Sequence, residues 1–347
     1  MDKYLASRRD RAVDLAKASA ICAVVLIHCS ASHFARYEVR AFQWMATCFW
    51  GCVSRWAVAV FVLCSGTLMN APERELPLSK LFSRYLLRLV LALSAWAALY
   101  ELVLVYVGWG SAPLKQLLLQ GVNHWLTGKT YYHLYYFYYA IALYLSLPMT
   151  RLIAKHASKT ELRYILILWL VAGSILPFLQ FQPFFIQMDS VLSRYIIPSA
   201  VLVPGVGLLG WYLYQYPVKS QLGWLTMYLA GFGMTFLNTW WRSKAVNTLD
   251  STYLSGFSPF VLLMAVGVFQ LCRRWAGQGL PRGVSYLAQG SFCVYLIHPI
   301  FHGMTTRIFS ALPPVWGIPV QVVLLLALSA AAYEILRRVP VVNRWLI

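Results

Sequence analysis

Apolar runs about as long as a bilayer is thick recur along most of this 347-residue chain. A helix needs ~20 mostly apolar residues to cross the hydrocarbon core. With 60% hydrophobic and 12% charged residues, no single soluble core can bury so much apolar surface, and the bilayer is the natural solvent. The runs are continuous and do not alternate in segments of about ten residues, so they do not describe a β-barrel. Glycine and proline inside them are compatible with helices in a membrane bundle. The runs place about ten transmembrane helices, near 13–32, 46–70, 81–108, 132–153, 161–179, 199–217, 222–240, 256–275, 289–310 and 315–337. The expected fold is an all-α integral membrane protein. It is one polytopic domain over 1–347 with no soluble domain appended.

Charge gives the bundle a direction. Lys3, Arg8, Arg9 and Arg11 precede the first helix. With ten spans, Arg74, Lys80, Arg84, Arg88, Arg151, Lys155, Lys159, Arg163 and Lys219 fall on the same side. Arg273, Arg274, Arg282, Arg337, Arg338 and Arg344 join them. The other side holds fewer basic residues, including Arg36, Arg40, Lys115, Lys129 and Arg194. The positive-inside rule puts both termini in the cytoplasm. It also accounts for the net charge of +18 without nucleic acid as a partner, and no nucleic-acid-binding motif occurs. The basic stretch and apolar run at the start resemble a signal peptide, but the run is long and no convincing cleavage site follows. It reads as a retained helix.

The seven cysteines, Cys22, Cys29, Cys48, Cys52, Cys64, Cys272 and Cys293, lie mostly within apolar runs. They form no paired CxxC framework and no zinc spacing, so they read as small hydrophobes and no metal is expected. Soluble hydrolase, kinase, P-loop and HExxH templates find no match. External segments near 33–45, 109–131, 180–198 and 241–255 are rich in Trp, Tyr and Phe. Such residues either form an interfacial belt or stack on a sugar.

Ionisable groups inside a membrane are costly and usually face an interior cavity. The first helix carries Asp14, Lys17 and, eleven residues beyond Lys17, His28. At ~3.6 residues per turn and ~1.5 Å per residue these share one face, with His28 ~16 Å further along. Asp14 and Lys17 are either an ion pair at the helix start or part of a site. Arg55 in the second helix holds its charge and needs an anionic or carbonyl partner. Ser65 and Gly66 lie deeper and permit either close helix packing or close approach of a ligand. Arg84 and Arg88, one turn apart, either anchor to lipid headgroups or bind the phosphates of a cytosolic cofactor. His133, His298 and Glu101 are further candidates.

DLAKASAICAVVLIH resembles the first-helix signature of the acyltransferase 3 family of membrane acyltransferases. There an Asp-containing start is followed by Arg or Lys, ten residues and His, and Lys17 and His28 fill the two marked positions. The more familiar form has arginine first; lysine keeps the charge but not the bidentate geometry. SRWAVAVFVLCSG is similar to the family's second-helix signature through Arg55, Phe61, Ser65 and Gly66. YHLYYFYYAIALYLSLP and VYLIHP are similar to later signatures and carry His133 and His298. The layout is most similar to the enterobacterial common antigen O-acetyltransferase branch.

The resemblance implies an O-acyltransferase of the bacterial cytoplasmic (inner) membrane. It implies transfer of an acyl group, usually acetyl, from cytoplasmic acetyl-CoA to a hydroxyl of an extracytoplasmic envelope glycan or lipid-linked saccharide. Lys17, Ser65, Arg84 and Arg88 would hold the donor. His28 would act as general base or form an acyl-histidine, and Arg55 would stabilise the oxyanion. Asp14, His133, His298 and Glu101 would contact substrate or support the site. A transporter or export component for an envelope polysaccharide is the alternative, because it too uses many helices and intramembrane charges. A sensor or scaffold that has lost catalysis is a third reading.

Overall fold

The computed structural model describes residues 10–104, 114–182, 185 and 193–347. Lys3, Arg8 and Arg9 lie outside the described residues, as do parts of the expected external segments 109–131 and 180–198 and the side chain of Lys115. Every regular element among the described residues is helical. The main helices are α1 (Arg11–Ala31), α2 (Phe42–Val53), α3 (Ala57–Met69), α4 (Leu87–Leu104), α5 (Leu114–Thr127), α6 (Tyr135–His156) and α7 (Lys159–Leu170). They continue as α8 (Ser199–Gln215), α9 (Gln221–Val246), α10 (Pro259–Trp275), α11 (Arg282–Phe309), α12 (Pro314–Leu336) and α13 (Pro340–Trp345).

Eight helical stretches among the described residues are long and apolar enough to cross a membrane: Arg11–Arg36, Phe42–Met69, Leu78–Leu102, Tyr135–His156, Lys159–Gln180, Thr252–Trp275, Arg282–Phe309 and Pro314–Leu336. The two further spans expected near 199–217 and 222–240 are helices too, but of a different character. At 17 residues, α8 is short, and its centre from Leu202 to Trp211 is buried by protein. The C-terminal part of α9 carries Asn238, Arg242, Ser243 and Lys244.

The expected continuous second helix over 46–70 is interrupted. Residues 54–56 form a turn between α2 and α3, and Arg55 sits in it. Local hydrogen bonds end α2 there. Ser54 Oγ donates to Trp50 O at 2.9 Å, and Trp56 Nε1 donates to Val53 O at 2.8 Å. Side chains that bond nearby carbonyls offer the backbone an alternative to the helical ladder.

The first helix is the hub. It packs against α2, α3, α10, α11 and α12, and ten of its residues are buried. Asp10 caps its start by accepting a 2.9 Å hydrogen bond from Val13 N, and Tyr214 Oη at the end of α8 donates to the same carboxylate. The turn after α3 is held in a similar way. Arg151 Nη1 donates to Met69 O at 2.6 Å and to Ala71 O at 3.0 Å, which satisfies carbonyls at the end of that helix.

Without a hydrophobic force between helices in lipid, close contact of small residues holds a bundle together. The crossing of α3 and α8 uses this. A Cβ on Gly66 would fall 2.0 Å from Gly207 O, and one on Gly210 would fall 2.2 Å from Leu63 O. Gly66→Ala is therefore expected to destabilise the protein by about 1–3 kcal/mol. The check is the unfolding midpoint in detergent, where an unchanged value would contradict so close a crossing.

Candidate functional site

The bundle surrounds a cavity of about 340 Å³, within the range of about 300–1,000 Å³ common for small-molecule sites. Its walls follow the polar face of α1, taking in Lys17, Val24, Ile27 and His28. Asp14, in the first turn of α1, is not part of the wall. Lys17 and His28 thus mark two levels of one cavity, ~16 Å apart along the helix.

The connectivity sorts the remaining groups between those levels. Chain direction reverses between α1 and α3, so the end of α3 returns to the start of α1, where Cys64 Sγ lies 4.0 Å from Val13 O. Ser65 lines the cavity at that end, beside the Tyr136 phenol. Arg88, Tyr85 and Tyr144 also line the cavity. The Arg88 guanidinium donates to the main-chain oxygen of Ile347, and its Nε is buried without a hydrogen-bond partner. Arg84 is exposed and outside the walls, about 6 Å further out by helical rise. The expected basic pair therefore contributes one cavity group, Arg88.

At the other end Arg55 projects into the cavity from the turn before α3, and its Nε is buried without a partner. Three histidines, from α1, from the turn before α6 and from α11, meet near it. The His28 and His298 ring centroids are 5.1 Å apart, and those of His133 and His298 are 5.6 Å apart. His133 lines the cavity, while His298 stands behind, fully buried. His298 Nδ1 donates to Val294 O at 3.0 Å, which fixes the ring and leaves Nε2 as its free nitrogen. Among the described residues no group of three or more His, Cys, Asp or Glu side chains is placed to hold a metal ion.

Several residues in or beside the cavity were not singled out by sequence. Tyr132 stacks obliquely on His28 at 5.0 Å, and Tyr295 lies 5.3 Å from His133 and donates to its backbone oxygen. His302 stands beside the backbone of His28, near the last turn of α1. The signal for Tyr132, Tyr135 and Tyr136 was the aromatic run around His133, which an interfacial belt explains equally well. Glu101 lies outside the cavity and pairs with His124 Nδ1 of α5 at 2.8 Å.

An all-helical bundle with eight helical stretches long and apolar enough to cross a bilayer among the described residues defines a multi-pass membrane protein, here with a cation and histidines around its cavity. The chain matches the acyltransferase 3 family model, described as an acyltransferase domain, over residues 10–334. It belongs to that family and is a membrane acyltransferase by membership. No curated protein and no solved structure matches it.

Proposed function

We propose that the protein transfers an acetyl group from acetyl-CoA to a hydroxyl of an envelope glycan or lipid-linked saccharide. The donor reaches the cavity from the Lys17 end and the acceptor from the His28 end. The observation that carries this reading is the cavity itself, with Lys17 and Arg88 toward one end and His28 and Arg55 toward the other. The basic bias of the loops supports cytoplasmic termini, which makes the Lys17 end cytoplasmic and the His28 end extracytoplasmic. The bacterial inner membrane is the matching location, because acetyl-CoA is cytoplasmic and the acceptor is in the envelope. The similarity of the motif layout to the enterobacterial common antigen O-acetyltransferase branch favours a carbohydrate acceptor.

The donor fits the chemistry of the wall. Lys17 and Arg88 offer cationic donors to phosphates, and the partnerless Arg88 Nε is a buried donor in want of an acceptor. Tyr136 and Phe61 line the passage between the ends. His28 takes the proton of the acceptor hydroxyl as its oxygen attacks the thioester carbonyl. Arg55 donates to the oxyanion that forms, a charge it does not have to move to meet. The carbon–sulfur bond then breaks, and the coenzyme A thiolate takes the proton from His28. No group is left with a net change of charge.

Purified protein is expected to bind acetyl-CoA and to release coenzyme A as it acetylates glycan. Glycan transport across vesicles without thioester turnover would instead favour the transporter alternative. Lys17→Ala is expected to raise the KM for acetyl-CoA about tenfold, the loss of one charge-assisted hydrogen bond. Lys17→Arg is expected to retain donor binding. Wild-type donor saturation in Lys17→Ala would remove Lys17 from the donor site.

A further inference from the structure

A second cavity opens beside the C-terminal end of α1, with a volume of about 660 Å³. It joins two of the aromatic-rich segments, 33–45 and 241–255, that are far apart in sequence. We propose that this groove is the docking site for the body of the acceptor, a neutral saccharide, while its reacting hydroxyl reaches His28. The inference rests on the acetyltransferase reading above and deepens it.

The groove carries mixed polarity on an apolar floor. Exposed Glu38, Arg40, Asn247 and Thr248 and half-buried Tyr37 line it. One carboxylate and one guanidinium offset each other, so a ligand of either net charge gains from one and loses to the other. A polyol suits both, because each hydroxyl donates and accepts, and an amide and a phenol add further partners. Phe34 and Trp44 form the floor, edge to face at 5.4 Å.

The groove is braced by hydrogen bonds and lies next to the reaction cavity. Arg242 Nε donates to Asp250 Oδ2 at 2.7 Å, and Asp250 Oδ1 accepts from Thr252 N at 2.9 Å. Ser243 Oγ accepts from Asp250 N at 2.9 Å. These bonds fix the turn that presents Asn247, whose φ of 54° is left-handed. Leu254 packs in the same buried cluster as Phe34, Val39 and Trp44, and it also lines the His28 cavity. Ala31 of the groove lies three residues beyond His28 on α1. A sugar ring seated at Ala31 would thus lie about one helical turn along α1 from the proposed base.

The test measures acetyl transfer from labelled acetyl-CoA by the purified full-length protein. The acceptor probe is glycan extracted from envelopes of cells lacking the protein, at increasing concentration. The combined variant Glu38→Ala, Arg40→Ala, Asn247→Gly removes the polar rim at exposed positions, and glycine keeps the left-handed backbone at 247. Its half-saturating glycan concentration is expected to rise at least about tenfold, ~1.4 kcal/mol. The effect belongs in KM rather than kcat, because ring binding is shared by ground and transition states. Should the triple variant fold poorly, Asn247→Gly alone is expected to move KM in the same direction by a smaller factor. Wild-type transfer with unshifted saturation in both variants overturns the groove alone. No transfer by wild-type protein overturns the acetyltransferase reading and the groove with it.

Discussion

Replacing His28 with alanine is expected to lower acetyl transfer by about 10²–10⁴-fold at matched protein levels, the usual contribution of a positioned general base. The ring lies on the cavity wall within 5.1 Å of the His298 ring and 5.0 Å of the Tyr132 ring. Alanine in place of histidine takes away the proton acceptor and leaves α1 otherwise intact, since α1 is held by its packing against neighbouring helices and by the Asp10 cap. Acetyl-CoA binding should therefore survive the substitution, and the loss should fall on kcat. His28→Ala with wild-type turnover would remove His28 from the chemistry. If binding of the donor fell in parallel, His28 would instead belong to the donor site.

Arg55→Ala is expected to cost about 10²–10³-fold in kcat, as the loss of an oxyanion donor does. The partnerless Nε and the position in the turn before α3 make Arg55 a fixed cation facing the cavity. Arg55→Lys keeps the charge but loses the planar fork, so it should recover only part of the rate. Full recovery by lysine would show that a point charge suffices. Loss of protein from the membrane in both variants, read by quantitative immunoblot, would mark Arg55 as a support of the α2–α3 turn.

Most spans were legible because a helix that crosses a bilayer has to be about twenty apolar residues long, and such runs are visible without any tertiary information. What escaped the sequence depends on contacts. The break at 54–56 has no proline to announce it and arises from the Ser54 and Trp56 hydrogen bonds. Burial of α8 comes from its neighbours, and its 17 residues are short for a span. Helical spacing put Lys17 and His28 on one face, and both line the cavity. The same reasoning paired Arg84 with Arg88, yet Arg84 stands outside the bundle wall. Ser65 and Gly66 left packing and ligand approach open; Gly66 packs on Gly207, while Ser65 lines the cavity. His133 and His298 were isolated in sequence, and only the fold brings them to His28, one from the turn before α6 and one from α11.

The most direct measurement is mass analysis of envelope glycans from cells that carry the protein, cells that lack it, and cells that carry His28→Ala at equal abundance. Acetyl-ester mass increments on one glycan class are expected only with the wild-type protein. Identical glycan masses in the three samples, or increments that persist with His28→Ala, would contradict acetyl transfer by His28 in this cavity.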